Sequence, residues 1–162
     1  MASTSTSTYK FNHTMLRIKD PKVAIPWFEK VLGMEKFYEA GGSDFTNFFL
    51  AFPNGFPEGV KTDEQKKDAF KSREGILELC WNHGTESDPN FKGYANGNSE
   101  PGRGFGHICI SVDNLDAACK RFDELGVKFK KRPEEGRMRN IAFILTPDDE
   151  YWVEIIAHDA KV

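Results

Sequence analysis

The sequence predicts an α+β protein made of two tandem modules, each a strand followed by a helix and then by further strands of a mixed sheet. Three observations support this. The chain has 162 residues, 39% hydrophobic and 13% aromatic, enough for one domain or two tightly joined halves with a real core. The stretch FNHTMLRIKDPKVAIPWFEKVLGMEKF from Phe11 is echoed by FGHICISVDNLDAACKRFDELGVKF from Phe105. In each copy a Phe-x-His opening places its histidine 15 residues before a second phenylalanine, His13 before Phe28 and His107 before Phe122.

The elements follow in order. Ile108, Ile110 and Val112 alternate with Phe105, His107 and Cys109, the period of a strand. Asp113 or Asn114 can then cap a helix whose Leu115, Cys119, Phe122 and Leu125 recur at helical spacing, and Gly126 ends it. In the first copy Asp20-Pro21 is the start signal and Gly33 the stop. Pro26 removes one donor, so that helix is expected to start late or kink. Further strands are expected at 45–52 and 74–81 in the first half, and at 127–131, 140–146 and 150–157 in the second. The polar stretch 53–70 reads as a long surface loop. The expected organisation is a disordered tail over 1–8 and one domain over 9–162. Within it, module one covers about 9–83, a linker about 84–103, and module two about 104–158.

Composition narrows the function. A net charge of −3 with interspersed signs gives no electrostatic basis for binding nucleic acid or an anionic membrane surface. No apolar run is long enough to span a bilayer. Cys80, Cys109 and Cys119 lack CxxC spacing, which reads as free thiols in a reducing, cytoplasmic setting. The opening MASTSTSTYK has the form of neither a secretory signal nor a transit peptide.

Strand parity then selects candidate site residues. Phe11, His13, Met15 and Arg17 point one way, and Leu16 and Ile18 the other. His107 likewise points away from Ile108 and Ile110. Each module also carries a glutamate inside an apolar run. Glu78 shares its face with Ile76, Cys80 and Asn82, and Glu154 shares its face with Trp152 and Ile156. A lone ionised carboxylate in such a run needs a partner. Taken singly, each histidine reads as a hydrogen-bonded core residue and each glutamate as the partner of an arginine. Recurrence of both at matching places favours a divalent-metal site of two imidazoles and two carboxylates. His83 and His158 lack this pairing and read as surface residues.

With these residues in place, the chain resembles glyoxalase I, the lactoylglutathione lyase family of the vicinal oxygen chelate superfamily. The motifs are HTMLRIKDP, VLGM, LEL, NGNSEPGRGFGHI, RFDELGVKF and YWVEI. The resemblance implies two βαβββ modules and a homodimer whose sites are shared between subunits. It implies a metal held by His13, Glu78, His107 and Glu154, zinc ahead of nickel or cobalt, with glutathione as cosubstrate. The implied reaction, in methylglyoxal detoxification, turns the glutathione–methylglyoxal hemithioacetal into S-lactoylglutathione through an enediolate. Glu154 is the main base and Glu78 its counterpart. By family position Arg17 and Asn82 hold the glutamyl end, Arg103 with Lys131 and the Gly136 backbone meets the glycyl carboxylate, and Phe45 and Met138 line the pocket for the small substituent. Two features depart from the pattern. His13 stands where many animal zinc-type members have glutamine, and TPDDEYWVE lacks the usual glycine, so the turn before Glu154 is built differently. The rival functions are another metal-dependent member of the superfamily, an epimerase or thiol transferase, and a metal-free protein that sequesters a small ligand.

Overall fold

The computed structural model describes residues 4–158. Two compact units emerge. One takes in the chain through Pro21 and then Phe28–Asp88, and the other takes in Lys22–Trp27 and the chain from Pro89 onward. The first unit contains strands β1 (His13–Ile18), β2 (Glu35–Gly41), β3 (Phe45–Ala51) and β4 (Ile76–Asn82). The second contains β5 (His107–Val112), β6 (Phe129–Lys131), β7 (Ile141–Leu145) and β8 (Trp152–Ala157). The sheet orders are β1-β4-β3-β2 and β5-β8-β7-β6, so both units place their first and last strands side by side. In each, that pair, at one edge of the sheet, is parallel and the other pairs are antiparallel. These are the expected α+β modules with mixed sheets.

Burial follows the parity argument. Along β1, Leu16 and Ile18 are buried while His13, Met15 and Arg17 are exposed. Phe28 in the first unit and Phe122 in the second, the repeated phenylalanines, are 1% and 3% exposed. Leu50, Leu79, Ile144, Val153 and Ile155 complete the most deeply buried set, each stabilising the fold by about 1.5–3 kcal/mol through loss of apolar area to water.

The helices refine the sequence expectations. Helix α1 (Pro21–Trp27) begins at the proline and runs through Pro26. The expected late start does not occur. Regular α geometry instead gives way to a π turn over Phe28–Leu32, a wider winding that accommodates a disturbed hydrogen-bond ladder. Helix α3 (Leu115–Glu124) is capped by Asn114, whose Oδ1 accepts from the Ala117 amide at 2.9 Å. Gly33 and Gly126 stop the two helical segments at φ 77° and 69°, a conformation that costs glycine no Cβ clash.

Three elements were not expected. Strand β2 pairs with β3 through a register shift between Lys36 and Tyr38. Within the stretch read as a surface loop, helix α2 (Asp63–Ala69) forms, closed by a reciprocal capping box between Thr62 and Gln65. Lys66 on α2 reaches Glu35 on β2 at 2.9 Å. Inside the stretch expected as a disordered tail, Thr6–Thr8 make one 3-10 turn with Ser5 as its cap.

The turn into β8 is built without glycine, as its sequence required. Asp148 and Glu150 take the left-handed conformation at φ 61° and 52°, a costly state for side-chain-bearing residues. The surrounding chain holds it in place. Buried Asp149 accepts the Tyr94 amide at 2.7 Å, Asn96 Nδ2 donates to the Asp149 and Glu150 carbonyls, Thr146 Oγ1 accepts the Tyr151 amide, and Lys128 pairs with Glu150. This clamp fixes where β8, and with it Glu154, begins.

Candidate active site

Each unit presents one histidine–glutamate pair on its sheet, and the two pairs are built alike. In the first unit β1 and β4 align Met15 with Glu78, and in the second β5 and β8 align Cys109 with Glu154. Each histidine lies two residues before that aligned position. The resulting contacts match: His13 Nε2 to Glu78 Oε2 is 3.1 Å, and His107 Nε2 to Glu154 Oε2 is 3.1 Å. Phe49 pairs with Glu78 and Phe143 with Glu154 across the next strand. Both rings meet their histidine edge-on, with centroids 6.0 and 5.3 Å away. Among the described residues no cluster of three or more of His, Cys, Asp and Glu is arranged to hold a metal; the donors occur as two pairs.

The first pair has its imidazole oriented by a neighbour. Asn12 Nδ2 donates to two carbonyls, those of Phe70 and Arg73, both at 2.8 Å. This fixes the orientation of the amide, so Asn12 Oδ1, 2.7 Å from His13 Nδ1, accepts the Nδ1 proton. In the neutral ring Nε2 then carries a lone pair aimed at a carboxylate oxygen. The two atoms are held 3.1 Å apart, one of them on the buried Glu78, a contact that a proton on Nε2 or a metal ion satisfies. Two donors bound to one divalent ion at about 2.1 Å in adjacent positions lie about 3 Å apart. The donor pair fits a metal, and Asn12 would be the outer partner that orients the imidazole toward it. Sequence reasoning missed Asn12. Its only signal was a polar residue immediately before the candidate ligand.

The remaining candidates divide by unit. Arg17 Nη1 donates to Asn82 Oδ1 at 2.7 Å and lies 3.7 Å from Cys80 Sγ. Asn82 in turn pairs with Phe45 across β3 and β4, so Arg17, Asn82 and Phe45 stand at one end of the first sheet's His13 face. In the second unit, Lys131, Gly136 and Met138 belong to one loop cluster. Lys131 Nζ already donates to the carbonyls of Met138, Arg132 and Ile141 at 2.6, 3.0 and 3.0 Å. Its three protons shape that loop, and Met138 is 56% exposed. Arg103 is exposed and paired with Glu100 at 2.8 Å. His83 does not join the pairs: its Nε2 meets Thr46 Oγ1 at 2.9 Å.

Cys109 was read only as a free thiol, and it is one. Partial burial and then the adjacent Glu154 carboxylate, which accepts its hydrogen bond, push the thiol up to about 11. It is a neutral donor beside Glu154, and Met15 fills the matching place in the first unit.

Comparison with known proteins agrees with this geometry. The model of the Glyoxalase/Bleomycin resistance protein/Dioxygenase superfamily matches residues 10–155. The lactoylglutathione lyase of Pseudomonas aeruginosa is 48% identical over 93% of this chain and 84% of its own length. The lactoylglutathione lyase of Schizosaccharomyces pombe is 46% identical over 93% of this chain, which spans only 45% of that protein. The solved glyoxalase I of Leishmania major superposes with a TM-score of 0.63 at 23% identity, over 92% of this chain and 86% of that one, a likeness of fold. The chain belongs to the glyoxalase/bleomycin resistance protein/dioxygenase superfamily and, within it, to the lactoylglutathione lyase family.

Proposed function

We propose that this chain isomerises the hemithioacetal of glutathione and methylglyoxal to S-lactoylglutathione. The observation that carries the reading is the duplicated histidine–glutamate pair, at the same register and the same 3.1 Å spacing, in a member of the lactoylglutathione lyase family. We infer that His13, Glu78, His107 and Glu154 together hold one divalent cation, zinc ahead of nickel or cobalt. When bound, such an ion stabilises negative charge developing on two neighbouring substrate oxygens. Glu154 takes the proton from the carbon bearing sulfur and returns it to the adjacent carbon, and Glu78 faces it as the counterpart base. Arg17, held by Asn82, binds the glutamyl carboxylate. Arg103 binds the glycyl end once it exchanges Glu100 for the substrate, and the loop carrying Lys131 and Gly136 borders it. Phe45 and Met138 enclose the small substituent.

The proposed assembly is a homodimer in which each site takes the first unit of one copy and the second unit of its partner. Its support is apolar area beside the ligands: Phe11 is 74% exposed and Met15 42% exposed on the His13 face. Free cysteines support a cytoplasmic setting, and no helix among the described residues is long and apolar enough to cross a membrane.

The test follows thioester formation by absorbance in chelated protein with zinc, nickel or cobalt added back. Activity should vanish with the metal and return with it. Full turnover by the metal-free protein would refute the mechanism.

A further inference from the structure

We propose that Asn47 is a specificity residue whose side-chain amide binds a hydroxyl group on the aldehyde-derived part of the substrate, so that hydroxylated 2-oxoaldehydes are favoured over plain alkyl ones. This deepens the isomerase reading above and rests on it. Asn47 pairs with Cys80 across β3 and β4, and Cys80 pairs with Arg17 across β4 and β1. Residues in register share one side of a sheet, so Asn47 stands on the face of Glu78 and His13, between Phe45 and Phe49. It lies two residues along the strand from the Phe49–Glu78 row, about 7 Å.

That face is chemically divided. Its charged and polar groups, His13, Arg17, Glu78 and Asn82, lie on β1 and β4. The β3 and β2 side is aromatic: Phe49 stacks on Tyr38 at 5.3 Å and meets Phe70 at 4.9 Å, and Phe45 closes the row beyond. Asn47 is a primary amide set into this aromatic side. Its Oδ1 is buried with no hydrogen-bond partner. Burying an amide oxygen without a donor is unfavourable, and such atoms are rare in folded proteins. An aliphatic side chain of the same size would complete the wall without that cost. The glutamyl carboxylate has its own cation in Arg17 at the other edge of the sheet, so the partner that suits Asn47 is a neutral hydroxyl near the substituent pocket. An amide both donates to and accepts from such a group.

The experiment measures two stable thioethers, S-propylglutathione and S-(3-hydroxypropyl)glutathione, whose hydroxyl lies on the carbon that carries the substituent, by calorimetry on zinc-loaded wild type and Asn47→Leu. It also compares kcat/KM for the hemithioacetals of 2-oxopropanal and 3-hydroxy-2-oxopropanal. In the wild type the hydroxylated member of each pair should be favoured. In Asn47→Leu that preference should fall about tenfold, the net worth of one neutral hydrogen bond, while the propyl thioether binds as well or better. Asn47→Ser, which keeps a hydrogen-bonding group, should retain part of the preference and serves if the leucine variant does not fold. Equal preference ratios in wild type and variants would overturn the assignment. So would an unchanged ratio with a shifted monomer–dimer equilibrium, which would give the amide to a contact between copies. Failure of the wild type to bind either thioether would overturn the isomerase reading as well.

Discussion

The two units share a sheet order and a histidine–glutamate pair, yet they differ at almost every other position of the equivalent face. By register, Met15 corresponds to Cys109, Arg17 to Ser111 and Asn47 to Ile141. The imidazole in the first unit is oriented by Asn12; Gly106, which has no side chain, precedes His107, and its carbonyl accepts from Asn98 Nδ2 at 2.6 Å. What the copies retain is the donor pair with its edge-on phenylalanine. The first carries Arg17, Asn47 and Asn82 on this face, and the second places a thiol against its carboxylate. Duplication of this kind keeps the histidine–glutamate pair symmetric while freeing the rest of each face for separate tasks.

The largest expected effect breaks the symmetry of the two glutamates. Glu154→Gln should lower turnover by roughly 10²–10⁴-fold in a folded dimer, the range for loss of a general base, and Glu78→Gln by less. Equal losses in steady-state kinetics would return the two units to equivalence in the chemistry. Next come the repeated phenylalanines. Phe28→Ala and Phe122→Ala should each destabilise the protein by about 3–5 kcal/mol in urea unfolding, as large aromatic-to-alanine cavities do. A much smaller loss for Phe28 would mean that the π turn lets the first unit collapse around the cavity. Asn12→Ala should weaken metal binding by roughly 10–100-fold, the usual consequence of losing a ligand's outer partner, whereas Gly106→Ala should leave affinity nearly unchanged. The smallest effect concerns the caps. Asn114→Ala should cost α3 about 1 kcal/mol in thermal unfolding, and Thr62→Ala a similar amount locally at α2.

These contrasts also show what the sequence could reveal. The two histidine–glutamate pairs were legible because parity and recurrence act together: a histidine at strand spacing is ambiguous once and informative twice. Helix α2 was not legible from periodicity because it buries no residue, so no apolar stripe marks it, and its capping box was the only signal. Strand β2 buries Phe37, but the register shift after Lys36 breaks the alternation that identifies a half-buried strand. Asn12 lay beyond reach for another reason. Its role depends on the carbonyls of Phe70 and Arg73, brought close only by the folded chain. The turn at Asp148 and Glu150 is intermediate. The missing glycine announced an unusual turn, but the clamp from Tyr94 and Asn96 is tertiary.

In the proposed assembly the two pairs form one metal site shared between copies. The direct measurement mixes two inactive variants, His13→Ala/Glu78→Gln and His107→Ala/Glu154→Gln, after unfolding and refolding together, and follows thioester formation with zinc present. If each site takes one pair from each copy, every mixed dimer regains one intact site. Random assortment then restores about a quarter of wild-type activity. If each site is built within a single chain, the mixture stays as inactive as its components, and the shared-site account is contradicted.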